Sequence, residues 1–268
     1  MSDSSKPDPP DPPDPPDPPA PRDPPAPLEP LSENWELALA VVAHPDDLEF
    51  GAAAAVARWT GQGKRVIYCL VTSGEAGIDA MPPEQTRRVR EAEQRASAAL
   101  VGVDVVDFMG FPDGVLEYGL TLRRAITRAV RHYRPDVVVT NNFRDTWDGD
   151  RVLNQPDHMV TGRAALDAAR DAGNRWVFPE LGDEGLEPWP GVRQVWASAS
   201  PMARHGVEVT DTFEQGVDSL RAHAAYLRGL GSGDFDPAEF LEALLRAGGS
   251  RLGVRYGAMF EVFHLGEL

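Results

Sequence analysis

The sequence predicts an α/β domain: a mostly parallel sheet with helices on both faces. Three observations carry that reading. Short apolar runs alternate with longer amphipathic or Ala-rich stretches from Leu37 onward. Runs such as Leu37-Ala38-Leu39-Ala40-Val41-Val42-Ala43 and Val137-Val138-Val139 show no in-out polar alternation, as strands buried on both faces should not. The stretches between them are long enough to be the helical crossovers that parallel strands need.

Residues 1–30 are dominated by Pro, Asp and Ala, with an Asp-Pro-Pro repeat from Asp8 to Pro19. Proline fixes φ and has no N–H to donate, so a disordered, polyproline-II-like tail is expected there. Residues 31–268 should form a single domain with a full core. Within it, Leu37–Ala43 reads as a strand, and Gly51–Thr60 as a helix stopped by Gly61-Gln62-Gly63. Arg65–Thr72 is a second buried strand. Pro83–Leu100 is a charged helix closed by Gly102. Val103–Met109, Thr121–Tyr133, Asp136–Thr140 and Asp157–Ala172 continue as strand, helix, strand, helix. After Trp176 the pattern loosens. Short strands are expected at Gln194–Ala199 and Gly206–Val209, helices at Asp211–Leu230 and Pro237–Ala247, and a final strand at Tyr256–His264.

The formal charge of −16 argues against nucleic acid or an anionic membrane as partner, since either would want a basic surface. No apolar run is long enough to span a bilayer, and the acidic N-terminus does not read as a secretory signal. The single cysteine, Cys69, lies in an apolar run and reads as a small buried hydrophobe. A cytoplasmic protein without membrane insertion is expected.

In parallel sheets ligands sit beyond the carboxyl ends of the strands. Four loops at such ends hold the reactive side chains: His44–Glu49, Ser73–Gly77, Gly110–Gly114 and Asn141–His158. The first contains His44-Pro45-Asp46-Asp47-Leu48-Glu49, the last Asn154-Gln155-Pro156-Asp157-His158. A hydrolytic zinc ion wants three protein ligands and one open position. His44, Asp47 and His158 can supply two imidazoles and a carboxylate. Asp46 can take a proton from water, and Asp157 can orient a neighbour. The plainer alternative is that both clusters are helix N-caps. Their recurrence at two strand-to-helix turns favours a metal site.

The remaining candidates are weaker. His132 should be exposed at a helix end, and His205 should lie in a loop without a partner. His223 and His264 are minor candidates for lining the site. Glu75 sits in a Gly-containing loop, whose backbone can approach a ligand closely, although a solvated loop Glu is commoner. Arg90 is most simply a helix-surface charge. Trp147, Trp176, Trp189 and Trp196 should be mostly core, with Trp147 able to stack on a sugar face.

At these residues the chain resembles the PIG-L/LmbE-like family of zinc-dependent N-acetylglucosaminyl deacetylases. The family signature Ala-His-Pro-Asp-Asp-x-Glu stands here as Ala43-His44-Pro45-Asp46-Asp47-Leu48-Glu49. A second signature, His-Pro-Asp-His, is matched by Gln155-Pro156-Asp157-His158. The Ser-Gly-Glu loop, the Arg-x-Arg-Glu helix and Phe111-Pro112-Asp113-Gly114 also match. The resemblance runs from about Trp35 to the C-terminus and leaves out the Pro-rich tail. It implies a Rossmann-like sheet and a Zn2+ ion, or another divalent metal, on His44, Asp47 and His158. It implies Asp46 as general base and contacts to a small amino-sugar or glycoconjugate substrate from Glu75, Arg90, Asp113 and Gln155.

One position departs from the pattern. Gln155 stands where many members have a histidine thought to act as general acid. The proton for the leaving amine is then open between Asp46, His223 or His264, and water. Two rival readings remain within the resemblance: an amidase of a thiol (mycothiol-type) conjugate, and a zinc-binding member with weak catalysis. A nucleotide-binding Rossmann protein is disfavoured, because His-Pro-Asp-Asp replaces the Gly-rich turn after the first strand and its carboxylates would repel a pyrophosphate.

Overall fold

A computed structural model describes residues 26–230 and 235–266. The strands are β1 (Glu29–Pro30), β2 (Leu37–Val42), β3 (Arg65–Leu70), β4 (Val105–Phe108), β5 (Val137–Asn141), β6 (Gln194–Ser198), β7 (His205–Glu208) and β8 (Gly257–His264). Among the described residues these form one sheet in the order β1-β7-β8-β6-β5-β2-β3-β4. β8 is antiparallel to both its neighbours, and every other pairing is parallel. The helices are α1 (Ala53–Gly61), α2 (Pro83–Leu100), α3 (Leu120–Tyr133), α4 (Pro156–Asp171), α5 (Glu180–Asp183), α6 (Phe213–Arg221), α7 (Ala224–Gly229) and α8 (Pro237–Leu252). None of the described helices is long and apolar enough to cross a membrane.

Alternate residues of each central strand feed opposite cores. Ala38, Ala40 and Val42 of β2 face a cluster with residues of α1, α6 and α8, whereas Leu39 and Val41 face one with residues of α3 and α4. Both faces are therefore apolar, which is why these strands read as continuous apolar runs. Cys69 is free and buried, in the second cluster.

The sheet's topology fixes where a ligand can go. From β2 the chain moves outward to β3 and β4, then returns to add β5 on the other side of β2. The reversal opens a crevice above the carboxyl ends of β2 and β5, the usual ligand position in such sheets. The loop beginning at His44 follows β2, and Asn141–His158 spans the end of β5 and the start of α4.

Four features differ from the sequence reading. Glu29–Pro30, assigned to the tail on composition, pair with β7, and Leu28 and Leu31 are buried; residues 1–25 of that tail lie outside the described residues. The helix expected over 211–230 is divided into a 3₁₀ turn at Thr210–Thr212, then α6 and α7, with the break at His223. α8 continues past Ala247 through Gly248-Gly249, where the backbone of Gly257 (at Gly248) and of Val254 and Arg255 (at Gly249) lies too close for a side chain. Trp176 is 81% exposed rather than core.

Candidate metal centre and active site

The turn after β2 buries His44 and Asp46, and with the first turn of α4 it brings three donor atoms together. His44 Nδ1 lies 3.1 Å from His158 Nε2 and 3.6 Å from Asp47 Oδ1, and Asp47 Oδ1 lies 2.9 Å from His158 Nε2. An ion bound tetrahedrally at ~2.0–2.1 Å would need donor–donor separations of about 3.3 Å. The observed edges bracket that value.

The outer nitrogens of the two imidazoles decide what the inner ones present. Asn154 Nδ2 donates to the carbonyls of Asn142 and Arg144, which fixes the orientation of its amide. Asn154 Oδ1 is then an acceptor, 3.0 Å from His158 Nδ1, so that nitrogen carries the proton. His44 Nε2 faces carboxylates of Asp113 at 3.1 Å and Asp157 at 3.4 Å, so it too is protonated. Donor atoms of His44 (Nδ1), His158 (Nε2) and Asp47 (Oδ1) consequently converge on one point, where a bound cation would displace the proton of His44 Nδ1. Such an arrangement asks for a cation, and these residues fit a divalent metal with its usual supporting acceptors. A second cluster, His44 with Asp113 and Asp157, is already engaged: backbone N–H groups of Gly114, Leu116 and Ala76 donate to its carboxylates.

The charges shift accordingly. Burial opposes ionisation of Asp47, but the imidazoles of His158 and His44 hold it well below the usual carboxylate range. Burial also works against protonated His44, yet Asp47, Asp113 and Asp157 together raise it well above the ordinary imidazole value.

Asp46 faces elsewhere. Its φ of 90° is left-handed, a strained conformation for a non-glycine residue. Two side chains of α2 hold it there. Gln94 Oε1 accepts from Asp46 N at 2.9 Å, and Arg90 Nη2 donates to Asp46 Oδ2 at 2.9 Å and to Pro45 O at 2.6 Å. Gln94 is itself fixed by Glu49, whose Oε1 accepts from Gln94 Nε2 and Ser97 Oγ. Burial pushes Asp46 up to about 6, with Arg90 opposing the rise.

The sequence-derived candidates divide on placement. His44, Asp46, Asp47, Arg90, Asp113, Gln155 and His158 all line one cavity of about 700 Å³, a size typical of small-molecule sites. Glu75 is not brought in. It accepts from the backbone of Ser73 and Asp113 and pairs with Arg87, so it braces the loop instead. Arg90 is not a surface charge: it is 3% exposed, spans from Asp46 to Gly74 O and lies under the Tyr226 ring at 4.0 Å. Gly74 and Gly77 let that guanidinium approach, because a Cβ at either position would overlap it. Trp147 lies edge-on to His158, with ring centroids 5.3 Å apart. His223 is fully buried, 3.8 Å from Glu49 Oε2, and does not line the cavity. His264 is exposed and lies opposite Gln194 on β6. His205 does find a charged neighbour, with Glu29 Oε2 at 3.7 Å.

The residues missed by sequence reasoning are Gln94, Ser97 and Asn154. Thr86, Arg90, Gln94, Ser97 and Ala98 form the buried face of α2. A polar stripe at i,i+4 spacing on a charged helix looks solvated, and only the fold shows that it faces inward.

A Rossmann-like sheet with a candidate two-histidine, one-aspartate metal centre at its switch point suits metal-assisted hydrolysis. The chain matches the family model described as GlcNAc-PI de-N-acetylase (PIG-L) over residues 39–169. It is 27% identical over 192 residues to a diacetylchitobiose deacetylase of Thermococcus kodakarensis, covering 69% of this chain and 68% of that one. It is 30% identical over 143 residues to a probable N-acetyl-alpha-D-glucosaminyl L-malate deacetylase of Bacillus anthracis, covering 51% of this chain and 60% of that one. In fold it resembles the N,N'-diacetylchitobiose deacetylase of Pyrococcus horikoshii, with TM-score 0.77, 24% identity, and coverage of 87% of this chain and 85% of that one.

Proposed function

We propose that this protein removes the N-acetyl group from an N-acetylglucosamine-type sugar, using a divalent ion held by His44, Asp47 and His158. The observation that carries the proposal is the convergence of three metal-donor atoms, from His44, Asp47 and His158, beside the buried carboxylate of Asp46. Two imidazoles and one carboxylate suit zinc. When bound, the ion supplies Lewis acidity that polarises the acyl oxygen and eases ionisation of water.

The chain's own residues supply the rest. Arg90 donates to Oδ2 of Asp46 and so fixes the carboxylate that accepts the proton of the attacking water. With Asp46 pushed up to about 6, the carboxyl can hold that proton and release it to the departing amine. Asp113, Gln155 and Trp147 line the cavity as contacts for the sugar. Gln155 can donate a hydrogen bond to a hydroxyl or oxyanion, but it has no proton to give up. The relatives named above are deacetylases, which favours an acyl amino sugar over a thiol conjugate.

The test pairs metal analysis with amine release from a panel of N-acetylglucosamine derivatives. Asp46→Asn should keep its metal and lose about 10²–10⁴-fold in turnover, the usual contribution of a general base. Near-native turnover by that variant would remove Asp46 from the role. A fully metal-loaded wild type inert on the whole panel would reject the deacetylase reading.

A further inference from the structure

One side of the cavity has no task in the chemistry above. α8 carries two adjacent apolar stripes at i,i+4 spacing. Leu241 and Leu245 are buried in the core, while Phe240 and Leu244 line the cavity. A helix packed on the core needs only the first stripe. Phe240 is 39% exposed and Leu230, just beyond α7, 42%. With Phe50 and Tyr226 they belong to the same cavity as the metal ligands. The wall is braced: Phe240 stands edge-on to Phe50 with centroids 5.3 Å apart, and Phe235 backs both at 5.6 and 6.0 Å. Contiguous exposed apolar surface of this kind marks a binding site more often than chance.

Its position selects the part of the ligand it would meet. The wall starts at Tyr226, whose ring covers Arg90, and Arg90 holds the base. Asp113, Asn141, Asn142 and Gln155 give the cavity its polar lining. Sugar hydroxyls need polar partners, which a surface of Phe and Leu cannot offer. The acyl group removed under the reading above is an acetyl, whose single methyl cannot cover five large side chains. Resting on the deacetylase reading, we propose that the amino sugar carries an apolar aglycone, alkyl or aryl, which lies along Phe50, Tyr226, Leu230, Phe240 and Leu244.

The test compares methyl with octyl glycosides of N-acetylglucosamine, and N-acetyl- with N-octanoyl-glucosamine, on the metal-loaded full chain. Burial is worth about fourfold per methylene. The octyl glycoside should therefore exceed the methyl glycoside in kcat/KM by tenfold or more, mainly through KM. Phe240→Ser and, on a separate segment, Leu230→Ser should each cut that ratio at least fivefold, and a ratio is insensitive to partial loss of folded protein. A gain confined to the longer acyl chain, or no gain in either arm, would overturn the assignment, as would variants that keep the full ratio. Binding of octyl glucoside, which has no amide, is measured alongside by calorimetry against methyl glucoside. Octyl-selective binding that Phe240→Ser abolishes would support the wall even if no amide were turned over, and in that case only the deacetylase reading would fall.

Discussion

Gln94 is expected to matter to the reaction although it touches no metal ligand. It is 1% exposed, and its two polar ends join Asp46 N to Glu49 Oε1. Gln94→Met keeps the volume and removes both bonds. Asp46 N–H is then orphaned, and Glu49 Oε1 keeps only Ser97. The orphaned N–H costs ~1–3 kcal/mol and the bond lost by the Glu49 carboxylate ~1.5–3 kcal/mol, so a loss of about 2.5–6 kcal/mol follows. For a domain of this size that corresponds to roughly 5–24 °C in melting temperature. Relaxation of Asp46 from its φ of 90° would relieve ~1–3 kcal/mol of strain and carry the carboxylate with it. A displacement of about 1 Å in a reacting group costs on the order of 100-fold in rate. Steady-state amine release and metal content should thus show kcat down by about 10–100-fold, KM little changed and metal retained. In an Asp46→Asn background the same substitution should add almost nothing, because Gln94 acts through Asp46. An undiminished kcat in Gln94→Met, or a full additional loss in the double variant, would refute this reasoning.

Two further outcomes follow from the same geometry. His158→Ala removes one of three donors and should strip the metal. Elemental analysis showing full loading would end that ligand assignment. The buried pair of Glu49 and His223 should make stability depend on pH. Burial opposes both charges, yet His223 holds Glu49 below its usual range and Glu49 raises His223 above its own. A lowered carboxylate stabilises above its unfolded value of about 4.3, and a raised imidazole stabilises fully below its unfolded value of about 6.5 and loses the effect as pH rises through the folded one. The melting-temperature gap between wild type and His223→Asn should be widest near pH 4.5–6.5 and narrow toward pH 9. A gap that widened steadily with pH would show His223 buried in neutral form.

The fold was readable in the sequence because β2, β3 and β5 are buried on both faces and announce it by composition. The metal ligands were readable because His44, Asp46 and Asp47 share one turn and His158 opens a helix. What lies behind them was not. Asn154, which sets the tautomer of His158, and Gln94, which holds Asp46, are single neutral amides with no local pattern around them. The role of Arg90 is hidden for another reason: a charge on the helix surface is the simplest expectation, and only the packing of Gly74 and Gly77 around its guanidinium shows it turned inward. The pairing of Glu29–Pro30 with β7 was masked by a Pro-rich composition that suits an edge strand as well as a tail.

The direction of β8 settles which histidine stays away from the reaction. β8 is antiparallel to β6, so its last residue, His264, lies opposite Gln194 at the amino end of β6. The cavity sits above the carboxyl ends of the parallel strands, at the other end of the sheet. His223 is fully buried beside Glu49 and does not line the cavity. Of the donors open on sequence grounds, Asp46 and water remain within this chain's own cavity. Gln155→His separates them. An exposed imidazole at the cavity wall would add a donor that titrates near neutrality. If Asp46 already returns its proton to the amine, the new histidine should raise kcat less than about tenfold. If water is the native donor, a general acid should contribute ~10²–10⁴-fold. A gain of a hundredfold or more, with a new basic limb in the pH–rate profile and unchanged metal content, would show that Asp46 acts as base alone.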